Sequence, residues 1–162
     1  MFGIDTDFFK PVKNKMKTKI KLGYKEKEIM ILSLRSFYKV YDIETIINAA
    51  KNVLKIKPDL KFVLIGSGPE EKKLKALVKD LGLTSNIIFT GRLSQAELKE
   101  YMLASDIYVS TALSDAGISA STAEAMSCGL VPIVSNTGEN SLWIQNDKNG
   151  FLIPPKHVEL LS

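Results

Sequence analysis

The chain has 162 residues, 45% of them hydrophobic and 25% charged, which is enough for one globular domain with a core on both faces of a sheet. The lone Cys128 and the lone His157 argue against an internal disulfide, a metal centre and a Ser-His-Asp triad. No signal-peptide pattern and no run of about 18 apolar residues occurs, so we expect a soluble cytoplasmic protein without a transmembrane segment.

The net charge of +4 is concentrated at one end. Residues 1–27 carry eight lysines against three acids, a net +5, so residues 28–162 sum to −1. We interpret the spaced lysines of 13–21 as a solvated or mobile surface segment, and we expect no nucleic-acid partner.

Apolar runs alternate with helix-period segments along the chain. The predicted strands are Ile29–Leu34, Leu60–Ile65, Asn86–Thr90, Ile107–Ser110, Val131–Ser135 and Phe151–Ile153. The predicted helices are 42–56, 70–82, 95–104 and 118–128. Strands that are apolar on both faces and joined by helices predict a doubly wound, Rossmann-like α/β domain, with about six parallel strands and helices on both faces.

The segment Ser105–Val134 is typical of a ligand site. It predicts a buried strand, a loop that opens into a helix rich in small and hydroxyl residues, and a second buried strand. Backbone N–H groups at such a helix start can approach an anion closely. Glu124 lies in a small, apolar part of that helix, where a carboxylate can accept hydrogen bonds from sugar hydroxyls. The segment therefore suggests a site for a phosphorylated sugar compound.

The only two arginines, Arg35 and Arg92, each follow an apolar strand-like run. Ligands of open α/β sheets bind beyond the carboxyl ends of the strands, and the guanidinium fork suits phosphate. Local loop hydrogen bonds are the alternative explanation for both arginines.

Other residues are assigned structural roles. Gly66-Ser-Gly-Pro69 resembles a dinucleotide fingerprint, but Glu71 occupies the third-glycine position, so a tight turn that permits close ligand approach is favoured. Tyr41 and Trp143 could stack on a base, but packing is the favoured role for each. Asp106 is interpreted as the residue that fixes a strand entry, and Cys128 as an inert core thiol.

Five short motifs in order resemble the donor-binding C-terminal domain of group 1 retaining glycosyltransferases, which have the two-domain GT-B architecture. The resemblance covers nearly all of residues 3–160. The motifs are Gly3–Pro11, Gly66–Pro69, Asn86–Arg92, Glu124–Pro132 and Asn149–Pro155.

The resemblance implies roles for individual residues. Glu124 would hold the ribose of a nucleotide-diphosphate sugar, and Arg35 would pair with phosphate. The turn Gly91-Arg92-Leu93 would lie near the base. The loop and helix start Gly117–Thr122 would face the diphosphate and sugar, with Gly117, Ile118, Ser119 and Ala120 as binding residues. Gly66 would permit close approach of the donor.

The sequence departs from the family pattern at two places. A phosphate lysine is expected five residues after the arginine, but Lys39 comes at four, and an alignment on the following helix puts Tyr41 there instead. The first of two paired acids is either lost or supplied by Asp115 through a one-residue bulge.

We therefore expect a glycosyltransferase that transfers sugar with retention, with Arg35, Lys39 and Asp115 as catalytic residues and neither metal nor cofactor. Residues 1–27 would be a basic segment on the interdomain side, and residues 28–162 the donor domain. The partners would be the donor and an acceptor domain of the same full-length protein, without which this chain is inactive, and the resemblance leaves room for peripheral membrane association. The alternatives are a non-catalytic nucleotide-sugar-binding domain and half of a sugar-nucleotide epimerase; Glu71 disfavours a dinucleotide oxidoreductase.

Overall fold

A computed structural model describes residues 3–115 and 117–162. Six parallel strands form one sheet in the order β3-β2-β1-β4-β5-β6. The strands are β1 Ile29–Leu34, β2 Leu60–Ile65, β3 Ile87–Gly91, β4 Ile107–Ser110, β5 Val131–Ser135 and β6 Phe151–Ile153. The strand order reverses direction between β1 and β4, so the predicted doubly wound α/β fold is confirmed.

Helices connect the strands. They are α1 Lys15–Lys21, α2 Ile43–Val53, α3 Glu71–Asp80, α4 Gln95–Ala104, α5 Ala120–Ser127, α6 Asn140–Trp143 and α7 Val158–Leu161. Ser94 caps α4 in a capping box with Glu97, as their spacing predicts. Within the described ranges, no helix has the length and apolar character needed to cross a membrane.

The sheet separates two hydrophobic clusters, because successive side chains of a strand point to opposite faces. Met30 and Leu32 of β1 belong to the cluster that includes residues of α4 and α5. Ile31, between them, belongs to the cluster that includes residues of α2 and α3. Both faces of the sheet are covered, as strands that are apolar on both faces predict.

The lysine-rich segment contains helix α1. Lys13, Lys17 and Lys21 are exposed, as expected of a solvated segment, but that interpretation is wrong for Lys19. Lys19 is only 6% exposed, and its Nζ lies 2.9 Å from Asp106 Oδ2 and 2.8 Å from the carbonyl oxygen of Glu28. Asp106 also accepts a 3.0 Å hydrogen bond from the N–H of Met30, which confirms its role at a strand entry. The location of residues 1–27 on an interdomain side remains a prediction.

Candidate functional site

A cavity of about 370 Å³ lies beyond the carboxyl ends of β1, β2 and β3, at the edge of the sheet where ligands of this fold class bind. It is lined by Leu34, Arg35, Ser36, Tyr41, Ile65, Gly66, Ser67, Arg92, Leu93, Leu98 and Ser121. Both arginines of the chain are in this set. We call this space the donor cavity, after the role that the resemblance implies for the residues around it.

Arg35 is held from three sides. Its Nε donates a 3.0 Å hydrogen bond to Ser110 Oγ, and its two terminal nitrogens donate to the two carboxylate oxygens of Asp115 at 3.2 and 2.7 Å. The guanidinium carbon lies 5.1 Å from the centroid of the Tyr41 ring. Two residues 80 positions apart in sequence thus form a bidentate ion pair at the edge of the donor cavity.

Arg92 follows β3 and points across the loop to β2. Its Nε donates a 2.8 Å hydrogen bond to Ser67 Oγ. The preceding Gly91 has φ +73°, in the left-handed region that favours glycine, and its carbonyl oxygen accepts a 3.0 Å hydrogen bond from the N–H of Gly66. This turn fixes where Arg92 and Leu93 enter the cavity wall.

The start of α5 is organised by hydroxyl groups. Ser119 is the N-cap and accepts from the N–H of Thr122 at 3.2 Å, while Ser121 Oγ lies 2.8 Å from the hydroxyl of Tyr108. Within the described ranges, the N–H of Ser121 has no hydrogen-bond acceptor. An unpaired N–H at the first turn of a helix, beside a cavity, is a donor for an anion. The predicted site residues Gly117 and Ile118 lead into this turn, and Ala120 begins the helix.

Glu124 lies one turn after Ser121 on the same face of α5, since residues three apart are neighbours on a helix. It is half-buried, and burial raises the pKa of its carboxyl above the ordinary value. No described side chain donates a hydrogen bond to it. Its acceptor capacity is therefore available to a ligand.

The family model described as "Glycosyl transferases group 1" matches residues 14–162. The chain belongs to this glycosyltransferase family. An uncharacterised glycosyltransferase of Methanocaldococcus jannaschii is 31% identical over 151 residues, which is 93% of this chain and 36% of that protein. A relative in Corynebacterium glutamicum, named as a GDP-mannose-dependent monoacylated alpha-(1-6)-phosphatidylinositol monomannoside mannosyltransferase, is 26% identical over 99% of this chain and 43% of its own length.

The fold agrees with that of solved structures. The C-terminal domain of a group 1 glycosyltransferase of Francisella tularensis superposes with a TM-score of 0.84 at 29% identity, covering 98% of this chain and 84% of that one. The Anabaena HepE structure with UDP-glucose gives a TM-score of 0.86 at 21% identity, covering 98% and 44%, and shows the fold alone. This chain spans less than half the length of the two curated glycosyltransferases above.

The structure does not bring all of the predicted glycosyltransferase residues together. Lys39 lines a second cavity of about 240 Å³, with Lys73 and Lys156 among its other wall residues, whereas Tyr41 lines the donor cavity. The choice between the two alignments that the sequence allowed remains a prediction. Among the described residues that line the donor cavity, Arg35 and Arg92 are the cationic ones.

Some wall residues were not predicted. Ser36, Ser67 and Leu98 line the donor cavity, and so does Tyr41, for which packing was the favoured role. Ser36 directly follows Arg35, and Ser67 directly follows Gly66, at the ends of parallel strands. Their position next to these two predicted residues is the feature of the sequence that could have identified them. Trp143, expected to pack, is 56% exposed on α6, so that interpretation is wrong.

Cys128 behaves as predicted, because it is 2% exposed and burial raises the pKa of its thiol to about 11. The described residues also include no cluster of His, Cys, Asp and Glu suited to a metal ion.

Proposed function

We propose that this domain binds the nucleotide-diphosphate sugar donor of a retaining glycosyltransferase, and that the donor cavity is the binding site. The observation that carries the proposal is the convergence of both arginines and the first turn of α5 on one cavity beyond the strand ends. Membership of the group 1 family supports it.

The donor would lie along the cavity with its diphosphate at the start of α5. The N–H of Ser121 and the backbone of Gly117, Ile118, Ser119 and Ala120 would receive the phosphates, and Arg35 would compensate their charge. Since Lys39 faces the second cavity, it would reach the phosphates only with a different side-chain rotamer.

The nucleoside would occupy the rest of the cavity. Glu124, whose carboxylate has no described donor, would accept hydrogen bonds from the ribose hydroxyls. The turn Gly91-Arg92-Leu93 would bound the base, and Gly66 would leave room for close approach.

Transfer would be driven by stabilisation of the leaving group. Cleavage of the glycosidic bond leaves negative charge on the nucleoside diphosphate, and a preorganised guanidinium with a helix N-terminus stabilises that charge. Attack would come from the face from which the diphosphate departs, so the anomeric configuration is retained. Asp115, which already touches Arg35, is the candidate for the sugar-contacting acid.

The whole-protein roles are also proposals. The acceptor would be recognised by a second domain of the full-length protein, so the 162-residue chain alone would bind donor and transfer nothing. We propose that the reaction needs no metal and takes place in the cytoplasm, with any membrane association being peripheral.

An NMR titration with UDP, GDP and ADP tests the binding site. We expect chemical-shift changes at residues 91–93 and 117–124 without added metal, with at least one of the three nucleotides. Shifts confined to other residues, or none with any nucleotide, would rule out the donor cavity as the site.

The second candidate function is non-catalytic binding of a nucleotide sugar. It is favoured by the ion pair between Arg35 and Asp115 and by the placement of Lys39 outside the donor cavity. Turnover of the full-length protein across donors and acceptors separates the two functions. Binding without turnover would favour the second.

A further inference from the structure

Asp115 occupies the part of Arg35 that a diphosphate would use. A guanidinium has five N–H donors, of which three are engaged here, two by Asp115 and one by Ser110. The two terminal nitrogens together form the bidentate edge that fits either a carboxylate or a phosphate. The side chains of Arg35 and Asp115 are 9% and 12% exposed, so water screens the pair weakly.

The orientation of Arg35 does not depend on Asp115 alone. Ser110 Oγ holds Nε, and the ring of Tyr41 lies 5.1 Å below the guanidinium carbon. These two contacts lie on the side and the face of the guanidinium, away from its bidentate edge. Arg35 should therefore keep its position when the Asp115 carboxylate is neutralised or moves away.

We propose that Asp115 is an internal competitor of the donor diphosphate for the bidentate edge of Arg35. The inference rests on the proposed donor site and adds that a residue of that site, Asp115, lowers its affinity for the diphosphate. In the free protein the carboxylate holds the edge, on donor binding the diphosphate displaces it, and after transfer the carboxylate returns and assists release of the nucleoside diphosphate. When displaced, Asp115 is free to face the sugar.

Asp115→Asn provides the direct test, because it keeps the shape of the side chain and removes the charge. The apparent dissociation constant of a ligand equals its intrinsic dissociation constant divided by the fraction of protein in which the bidentate edge is free. If about nine-tenths of the protein holds the pair, Asp115→Asn should bind UDP, GDP and pyrophosphate about tenfold more tightly by calorimetry. Uridine and guanosine, which carry no phosphate, should bind with unchanged affinity.

Glu139→Gln is the matched control. Its carboxylate lies near the same loop, 3.6 Å from where a Cβ on Gly117 would be, whereas the described ion pair of Arg35 is with Asp115. Both variants remove one negative charge near the loop, and this general effect should be equal in the two. A gain in diphosphate affinity that Asp115→Asn shows and Glu139→Gln lacks therefore comes from the freed bidentate edge of Arg35. Placing Asp115→Asn in an Arg35→Ala background should abolish the gain.

A second measurement does not depend on the variant. In the unmodified protein, saturating UDP or GDP should change the ¹³C shift of the Asp115 carboxyl and the ¹⁵N shifts of the Arg35 guanidinium together. Weaker binding in Asp115→Asn, or an unchanged Asp115 carboxyl signal at saturation, would overturn the competitor role while leaving the donor site intact. If the unmodified protein binds none of these nucleotides, the donor site itself fails, and the competitor role fails with it.

Discussion

Gly66 packs directly against the backbone of Arg35, and any side chain at position 66 would collide with it. A Cβ built on Gly66 would lie 2.1 Å from the carbonyl oxygen of Arg35, and Gly66 has φ +147°, which side chains of L residues rarely adopt. The loops after β1 and β2 therefore touch through their backbones at the donor cavity. This contact explains the glycine without a dinucleotide, as the tight-turn interpretation predicts.

We expect Gly66→Ala to lower both stability and nucleotide affinity, because the chain at Arg35 must shift to admit the methyl group. The free energy of unfolding should fall by about 3 kcal/mol, the range for strained backbone combined with overpacking. Thermal or urea unfolding and calorimetric titration with GDP or UDP measure the two effects.

Gly82→Ala is the control for Gly66→Ala. Gly82 also has positive φ, +70°, but a Cβ there would have no neighbour within 4 Å. We expect a loss of only about 1 kcal/mol and no change in nucleotide affinity. Equal losses in the two variants would show that the contact with Arg35 is unimportant.

Glu124→Gln should separate binding from stability. Removing the charge should weaken nucleoside diphosphate binding by about 1.5–3 kcal/mol, the range for hydrogen bonds to a charged group. Burial raises the pKa of Glu124, so its ionisation costs folding free energy at neutral pH and that cost is relieved as the pH falls through the folded pKa. The melting temperature of Glu124→Gln at pH 7 should therefore equal or exceed that of the unmodified protein. A variant that both binds normally and melts lower would contradict both roles.

Arg35→Ala should harm diphosphate binding and folding together. It leaves the 12%-exposed Asp115 carboxylate without its partner, which we expect to cost about 3 kcal/mol of unfolding free energy. Arg35→Ala combined with Asp115→Asn should recover part of that stability without recovering affinity for nucleoside diphosphates. Affinity for the nucleoside should be unaffected in either variant, and calorimetry with the nucleoside and its diphosphate checks this.

Asp106 should make stability depend on acid pH. Burial alone would raise the pKa of Asp106, but hydrogen bonds from the N–H of Met30 and from Lys19, with the charge of Lys15, lower it below its ordinary value. Because the pKa of Asp106 is lower in the folded state than in the unfolded state, its ionised carboxylate stabilises the fold at pH values above the unfolded-state pKa. This stabilisation is lost as the pH falls through the folded-state pKa. Asp106→Asn should therefore lower the free energy of unfolding by about 2 kcal/mol at pH 7 and by progressively less in acid.

Glu100→Gln is the control, because it removes the exposed partner of Lys21. It should lower the free energy of unfolding by about 0–1 kcal/mol, and a pH series of urea melts distinguishes the two variants.

The sheet and its covering helices were predictable because they depend on local periodicity. Strands such as Leu60–Ile65 are apolar at every position except Lys61, and the cap at Ser94 is encoded within four residues. Helix α1 was not predicted, because its inward face uses Lys19 instead of apolar residues and is stabilised by Asp106, 87 positions away. The strand-end location of both arginines also followed from the sequence, through the rule for parallel sheets.

The pairing inside the site was not predictable. Nothing local to Arg35 or Asp115 indicates that they meet, since the bond depends on how β1 and β4 lie side by side and on the path of the loop after β4. The same holds for Tyr41 and Lys39, which are two residues apart and line different cavities. A turn of 3-10 helix at Lys39–Tyr41 directs their side chains to different cavities. Counting residues from Arg35 cannot predict which of the two reaches the donor cavity.

A crystal structure of the protein with a nucleoside diphosphate tests the central claim most directly. The account predicts the phosphates at the N–H of Ser121 and on the bidentate edge of Arg35, the ribose hydroxyls on Glu124, and the Asp115 carboxylate displaced from the guanidinium. A nucleotide bound elsewhere, for example among Lys39, Lys73 and Lys156 in the second cavity, with the donor cavity empty, would contradict it.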